Sequence, residues 1–361
     1  MNTAKNAVYT KLIAFFLIIA ALLSVLVISA NGSQADDSPT TDGSSDASTD
    51  NNDGGANNET DLPNEPTEPD PPKFYHHLTG VEVSEEAFGD SQVAYVIDAN
   101  SPLCGISQCN ILIEFPIENE KSRYIMLTDK STEITKIGSI TYSRYFMSNL
   151  AYAFGASVVS LGNDDTVNYN HVDTDLYMVS LTKNPGTYYT EYTYFTYTGT
   201  ELISSAQIAF PKNLTTLPYS FKNETDSDLG SITAERIDIP YESKTALVYQ
   251  KDQNEYCLNK MGSDRIDVST SGSVAFTNVL ILFADSMTYE TTDKTEMVVN
   301  TIGSGSGYYA YGGKAEEITW SLDINGNLSF FNKSGEKLDI GRGSTYISYV
   351  KSSRSKDVIF S

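Results

Sequence analysis

The sequence predicts an α/β N-terminal domain followed by an all-β antiparallel C-terminal domain, both behind an N-terminal transmembrane or signal segment and a disordered acidic linker. Three observations predict it. Apolar strands flank a segment of helical spacing between Gln92 and Leu161; consecutive strands joined by glycine-containing turns fill the chain after Ile237; and an apolar run followed by a polar tract precedes both. The expected divisions are residues 1–30, 31–72, 73–235 and 236–361.

Leu12 to Ser29 is a run of about eighteen apolar residues, near the lower limit for a helix crossing a hydrocarbon core and longer than most signal-peptide cores. Lys5 and Lys11 precede it and no basic residue recurs until Lys73, so the charge bias puts the N-terminus in the cytoplasm and the rest outside. The run is read as a retained single-pass anchor in the cell membrane. Cleavage at Ser33-Gln-Ala35, which would release a secreted body, is the alternative. No cysteine stands near the end of the run to carry a lipid.

From Asn31 to Pro72 the chain is Asp, Asn, Ser, Thr, Gly and Pro with almost nothing apolar, and it cannot bury enough surface to offset its ordering entropy. As a coil its mean span is roughly 35 Å, which lets the body stand off the membrane yet stay near it. Eleven of the 47 acidic residues fall in this tether, so the formal charge of −23 belongs only partly to the body. The remaining acidity serves solubility, and nucleic acid is excluded as a partner because no basic stripe exists to displace counterions from phosphates.

The body of about 290 residues is long enough for two domains. Gln92-Val-Ala-Tyr-Val-Ile-Asp98, Asn110 to Ile117 and Tyr124-Ile-Met-Leu127 are near-continuous apolar runs, the pattern of strands covered on both faces. Phe146, Met147, Leu150, Ala151 and Phe154 then recur at helical spacing, opened near Ser143 and closed by Gly155, before the buried strand Ala156 to Leu161. In the middle, Thr187 to Thr198 is dense in tyrosine and threonine and reads as a half-buried sheet face. Asn163-Asp-Asp165 with Asn168, Asn170, Asp173 and Asp175 offers calcium-type ligands without the ordered spacing of a calcium loop, and reads as a solvated loop.

After Ile237 come the strands Thr245 to Tyr249, Glu255 to Leu258, Val274 to Phe283, Glu296 to Ile302, Gly307 to Tyr311, Ala315 to Leu322, Leu328 to Phe331 and Thr345 to Val350. Gly312-Gly313, Asn325-Gly326 and Ser334-Gly335 separate several of them, and Asn-Gly predicts a tight hairpin whose two central residues take positive φ. Cys104, Cys109 and Cys257 are an odd set for an oxidising compartment, and a Cys104–Cys109 bridge would close the small loop Gly-Ile-Ser-Gln. The three histidines share no ligand spacing with them, so neither zinc nor any other metal or cofactor is expected.

These residues carry a resemblance. Gly105-Ile-Ser-Gln108 through Glu114, Glu118 and Arg123; Ile137-Gly138 to Arg144; and Ile302-Gly-Ser-Gly305 through Gly313-Lys314 to Thr319-Trp320 follow in order with gaps similar to those of the YerB family. That is an uncharacterised family of lipoprotein-like bacterial proteins with two domains of unknown function, and the resemblance runs from Leu78-Thr-Gly80 to about Val350. It implies an N-terminal α/β part and a C-terminal β part. Four positions depart from the family pattern: Thr141 replaces an arginine, Ser160 and Thr174 replace histidines, and Ala99 replaces an asparagine. The departures imply a member that keeps the fold with an altered or lost ligand.

Asp98, Glu114, Glu118, Arg123 and Arg144 remain as candidate ligand-binding residues. If the strand continues through both glutamates they share a face about 13 Å apart, beyond the roughly 5 to 9.5 Å of paired glycosidase carboxylates. Pro116 between them is a place for the strand to end instead. A glutamate with Arg123 or Arg144 could fix a polar ligand or form a partly buried ion pair. Gly303-Ser-Gly-Ser-Gly307 has glycine where a nucleophile elbow needs serine, and no Gly-Lys-Ser/Thr follows for a phosphate loop. No catalytic residue is assigned. Two readings follow: a membrane-tethered, non-catalytic protein binding a cell-wall ligand or envelope protein, and a hydrolase of envelope polymers working through Asp98, Glu118 and Arg144.

Overall fold

The computed structural model describes residues 72–160, 178–180, 189–190, 193–196, 217–222, 229–290 and 295–361. The apolar run, the acidic linker, the Asn163–Asp175 segment and most of the tyrosine-rich stretch lie outside the described residues. No helix among the described residues is long and apolar enough to cross a membrane.

Four N-terminal strands form where the apolar runs place them, β1 (Gln92–Asp98), β2 (Ile111–Pro116), β3 (Ser122–Asp129) and β5 (Ala156–Ser160), and a fifth that no apolar run announced, β4 (Ile137–Ile140), forms before the helix. Helix α1 (Tyr145–Ala153) begins after Arg144, whose extended backbone is its N-cap, and stops before Gly155, whose φ of 67° a residue with a side chain rarely adopts. Phe146, Leu150, Ala151 and Phe154 bury its apolar stripe against the sheet.

The α/β expectation for this half needs correction. Strand β3 pairs antiparallel with both β1 and β2, β4 joins β1 antiparallel, and β5 pairs with β1 in parallel. The cause is connection length. Residues 117–121 can make only a hairpin between β2 and β3, whereas α1 lies in the longer segment between β4 and β5. The half is β-rich with a single α-helix among the described residues.

The second half supplies β6 (Arg236–Ile239), β7 (Thr245–Gln250), β8 (Glu255–Lys260), β9 (Asn278–Ala284), β10 (Ser286–Glu290), β11 (Thr295–Val299), β12 (Gly303–Tyr311), β13 (Lys314–Leu322), β14 (Leu328–Phe331) and β15 (Thr345–Lys351). It is not wholly antiparallel. Strand β15 lies parallel to β9 on one side and to β2 on the other, with Thr345 opposite Ile111 and Ser348 opposite Glu114. Six of its seven residues are buried, which suits the centre of a sheet. One large sheet therefore runs β14, β13, β12, β9, β15, β2, β3, β1, and the boundary expected at residue 235 falls inside it. Every described residue belongs to one compact unit, Pro69–Ser361.

Strands β6, β7 and β8 belong to a smaller sheet that covers one face of the large one, with Ile237, Leu247 and Leu258 packed near Val279, Ile281 and Tyr346. The opposite face carries α1 together with Trp320, Phe330 and Tyr349. Gly312 and Gly313 have φ of 60° and 76°, as the tight β12–β13 hairpin requires. The Asn325-Gly326 turn differs from expectation. Only Gly326 has positive φ, and residues 323–327 form a longer loop in which Asp323 Oδ1 accepts both Asn325 N and Asn327 N, each at 2.9 Å. The three cysteines are free thiols, so Cys104 and Cys109 are not bridged.

Candidate functional site

Along β2, Ile113 and Phe115 pack on the helix side of the sheet and Leu112 on the side of the smaller sheet, so Glu114 faces the smaller sheet. There its carboxylate, with no exposed surface, meets the ammonium of Lys260 at 2.7 Å. Tyr346 and Ser122 donate hydroxyl hydrogen bonds to its two oxygens, and Lys260 Nζ reaches Ser122 Oγ at 3.0 Å. Burial lowers the pKa of Lys260 and the adjacent Glu114 opposes the shift. A serine hydroxyl beside a lysine amine has the distance of a nucleophile and base, but Ser122 is 1% and Lys260 5% exposed. Both side chains are buried away from solvent.

Glu118 and Arg144 come together on the helix side. Strand β2 ends at Pro116, and Glu118 opens a short turn of 3-10 type, so the two glutamates do not share a strand face. Arg144 Nη2 bonds Glu118 Oε2 at 2.9 Å, and Glu118 Oε1 accepts the backbone N–H of Met297 at 2.7 Å. Glu296, 1% exposed on β11, brings a second carboxylate to Arg144 Nη1 at 3.4 Å.

Asp98 and Arg123 face one another in register at the end of β1. Asp98 caps its own turn, accepting Asn100 N and Ser101 Oγ at 2.9 Å each, while Arg123 Nη1 donates to the carbonyl of Tyr142 at 2.6 Å. The five candidates thus occupy three places, with Glu118 bonded to Arg144 and Asp98 beside Arg123.

Sequence reasoning missed Lys260, Glu296 and Asp267. Asp267 is fully buried and ties the two halves together: Oδ1 accepts Gly105 N at 3.0 Å, and Oδ2 accepts Ser107 N at 3.0 Å and Ser107 Oγ at 2.8 Å. Burial would raise its carboxyl above the ordinary 3.8, but bonds from the hydroxyl of Ser269 and from Ser107 outweigh it and hold the pKa below that value. A folded-state pKa below the unfolded one gives stability that is complete above about pH 4 and lost as pH falls through the folded value. Asp267→Asn is expected to cost about 2 to 3 kcal/mol at neutral pH and to flatten the acid limb of a stability–pH curve. An acid limb unchanged in the variant would refute this role.

A second charged cluster sits near the start of the body. His76 Nε2 donates to Asp129 Oδ1 at 2.7 Å, and His76 Nδ1 accepts Leu78 N and Thr79 N at 3.3 and 3.2 Å. Among the described residues no three or more His, Cys, Asp or Glu side chains gather in a way that could hold a metal ion.

An open concavity lies elsewhere, at the Gly303 end of β12. Asp285, Asn300, Ser304, Ser352 and Ser355 line a cavity of about 260 Å³, walled by Phe283 and Trp320. Phe283 and Ser306 are shared with a neighbouring cavity of about 510 Å³.

Compared as a whole, the fold matches the crystal structure of the YerB protein from Bacillus subtilis, with a TM-score of 0.64, 19% identity, and coverage of 77% of this chain and 97% of that one. The fold is that of YerB. Residues 237–347 also match a family model described as the C-terminal domain of a protein of unknown function, DUF3048. No curated protein matches the sequence.

In this YerB-like fold, Ala99, Thr141 and Ser160 lie around the end of β1. Ala99 follows the strand, Thr141 N donates to Val96 O at 2.9 Å, and Ser160 follows Val159, which pairs with Tyr95. Asp98, Arg123 and Tyr142 stand at the same place, whereas Thr174 lies outside the described residues.

Proposed function

We propose that this YerB-like protein is a non-catalytic binding protein of the cell envelope, tethered to the membrane by its N-terminal segment and holding its body outside. The observation that carries the reading is the commitment of its carboxylates. Glu114 is held by Lys260, Ser122 and Tyr346, and Glu118 by Arg144 and the Met297 N–H, so these oxygens are engaged in fixed contacts rather than offered to a substrate. A general acid or base must reach the proton that it moves. The open, hydroxyl-lined concavity beside β12 offers hydrogen bonding without such a pair.

The test is thermal stability of the full chain in detergent micelles against wall fragments, sugars, nucleotides and divalent ions. A reproducible upward shift from one class, with that compound recovered unchanged, is the expected result. Hydrolysis of an envelope polymer that disappears in Glu118→Gln would overturn the reading. Protease added outside intact cells is expected to cut the linker and release the body.

A further inference from the structure

Ala310, Tyr308, Ser306 and Ser304 alternate onto one face of β12. Ala310 is buried beneath the smaller sheet, Tyr308 is half-buried, and both serines are exposed, so the cover ends partway along the strand. The intervening glycines are dictated by packing. A Cβ on Gly305 would overlap the carbonyl of Phe283 and the ring of Trp320, and one on Gly307 would overlap the carbonyl of Ile281. Strand β12 therefore lies close against β9, and its serines form the floor of a groove that joins the two cavities at Phe283 and Ser306.

The lining selects a ligand class. The first cavity presents hydroxyls, the Asn300 amide and the Asp285 carboxylate, with no cation among them. In the second, Glu317 and Lys333 pair with one another at 3.4 Å, so the groove has no excess positive charge with which to hold an anion. Phe283 and Tyr308, edge to face at 5.8 Å, add an apolar wall. Groups that both donate and accept, beside an apolar surface and without excess positive charge, match the hydroxyl rim and apolar faces of a pyranose ring. The 260 Å³ cavity falls just below the usual range of roughly 300 to 1,000 Å³ for small-molecule pockets, a size for one ring, and the 510 Å³ cavity continues it.

We propose that this groove binds a neutral oligosaccharide laid along β12, an assignment that rests on the binding-protein reading and names its ligand class. The test is calorimetric titration of the full chain in micelles with chitotetraose, against a galacturonate tetramer as an anionic counterpart. Saturable binding of chitotetraose alone is expected, weakened about tenfold by Asp285→Ala and at least as much by Ser306→Tyr, which fills the junction of the cavities. Both positions are exposed, and the melting temperature of each variant shows that its fold is intact. Binding untouched by Ser306→Tyr would overturn the groove and leave the binding-protein reading standing. Absence of chitotetraose binding would overturn the ligand class, and cleavage of the tetramer would overturn both readings.

Discussion

Lys260→Met is expected to lower the unfolding free energy by about 3 to 5 kcal/mol, the range for removing one partner of a buried ion pair. The ammonium offsets the burial of Glu114, whose remaining contacts are the hydroxyls of Ser122 and Tyr346. Without the cation the carboxylate must stay charged in a nearly dry site or take up a proton, and either costs free energy. The double variant Lys260→Met with Glu114→Gln is expected to recover much of the loss, because a neutral amide tolerates burial better than an isolated charge. Trp320, the single tryptophan and 2% exposed, provides the fluorescence signal for denaturant unfolding. A loss below about 1 kcal/mol in Lys260→Met would mean that the site is wetter than its geometry implies.

Arg144→Ala is expected to produce a comparable loss, about 3 to 5 kcal/mol, for a different reason. One guanidinium stands between two carboxylates, Glu118 and Glu296, and its removal leaves two like charges facing each other at the entry of α1. Arg144→Ala in a Glu296→Gln background is expected to regain part of the stability, and Arg144→Lys to fall between, since an ammonium cannot reproduce the guanidinium fork. Equal stability of Arg144→Ala and the parent chain would refute the ion-pair role. The arginine is thus a poor probe of ligand binding on its own: a lost ligand response in Arg144→Ala has to be separated from a lost fold.

Much of the secondary structure was legible because its signals are local. The apolar runs from Gln92 to Leu127, the 3.6-residue spacing of Phe146, Leu150 and Phe154, and Gly312-Gly313 each state a backbone preference within a few residues. The candidate site was legible only in part. Glu118 and Arg144 were named and do pair, yet Lys260 lies 146 residues from Glu114 and no spacing rule connects them. Glu114 was named because the resemblance retains it; an acid inside an apolar strand is costly to bury, and the structure neutralises that cost with a lysine from another sheet.

The sequence by itself determined many of the strands, the one described helix, the turn at Gly312-Gly313 and the resemblance to YerB, since periodicity and turn chemistry act over short separations. Only the tertiary structure decided that β15 enters between β9 and β2, that one sheet crosses the expected domain boundary, and that Asp267 holds the loop at Gly105. These outcomes depend on which distant segments can bury apolar faces and neutralise charges together, and that choice is a property of the packed chain rather than of any local window.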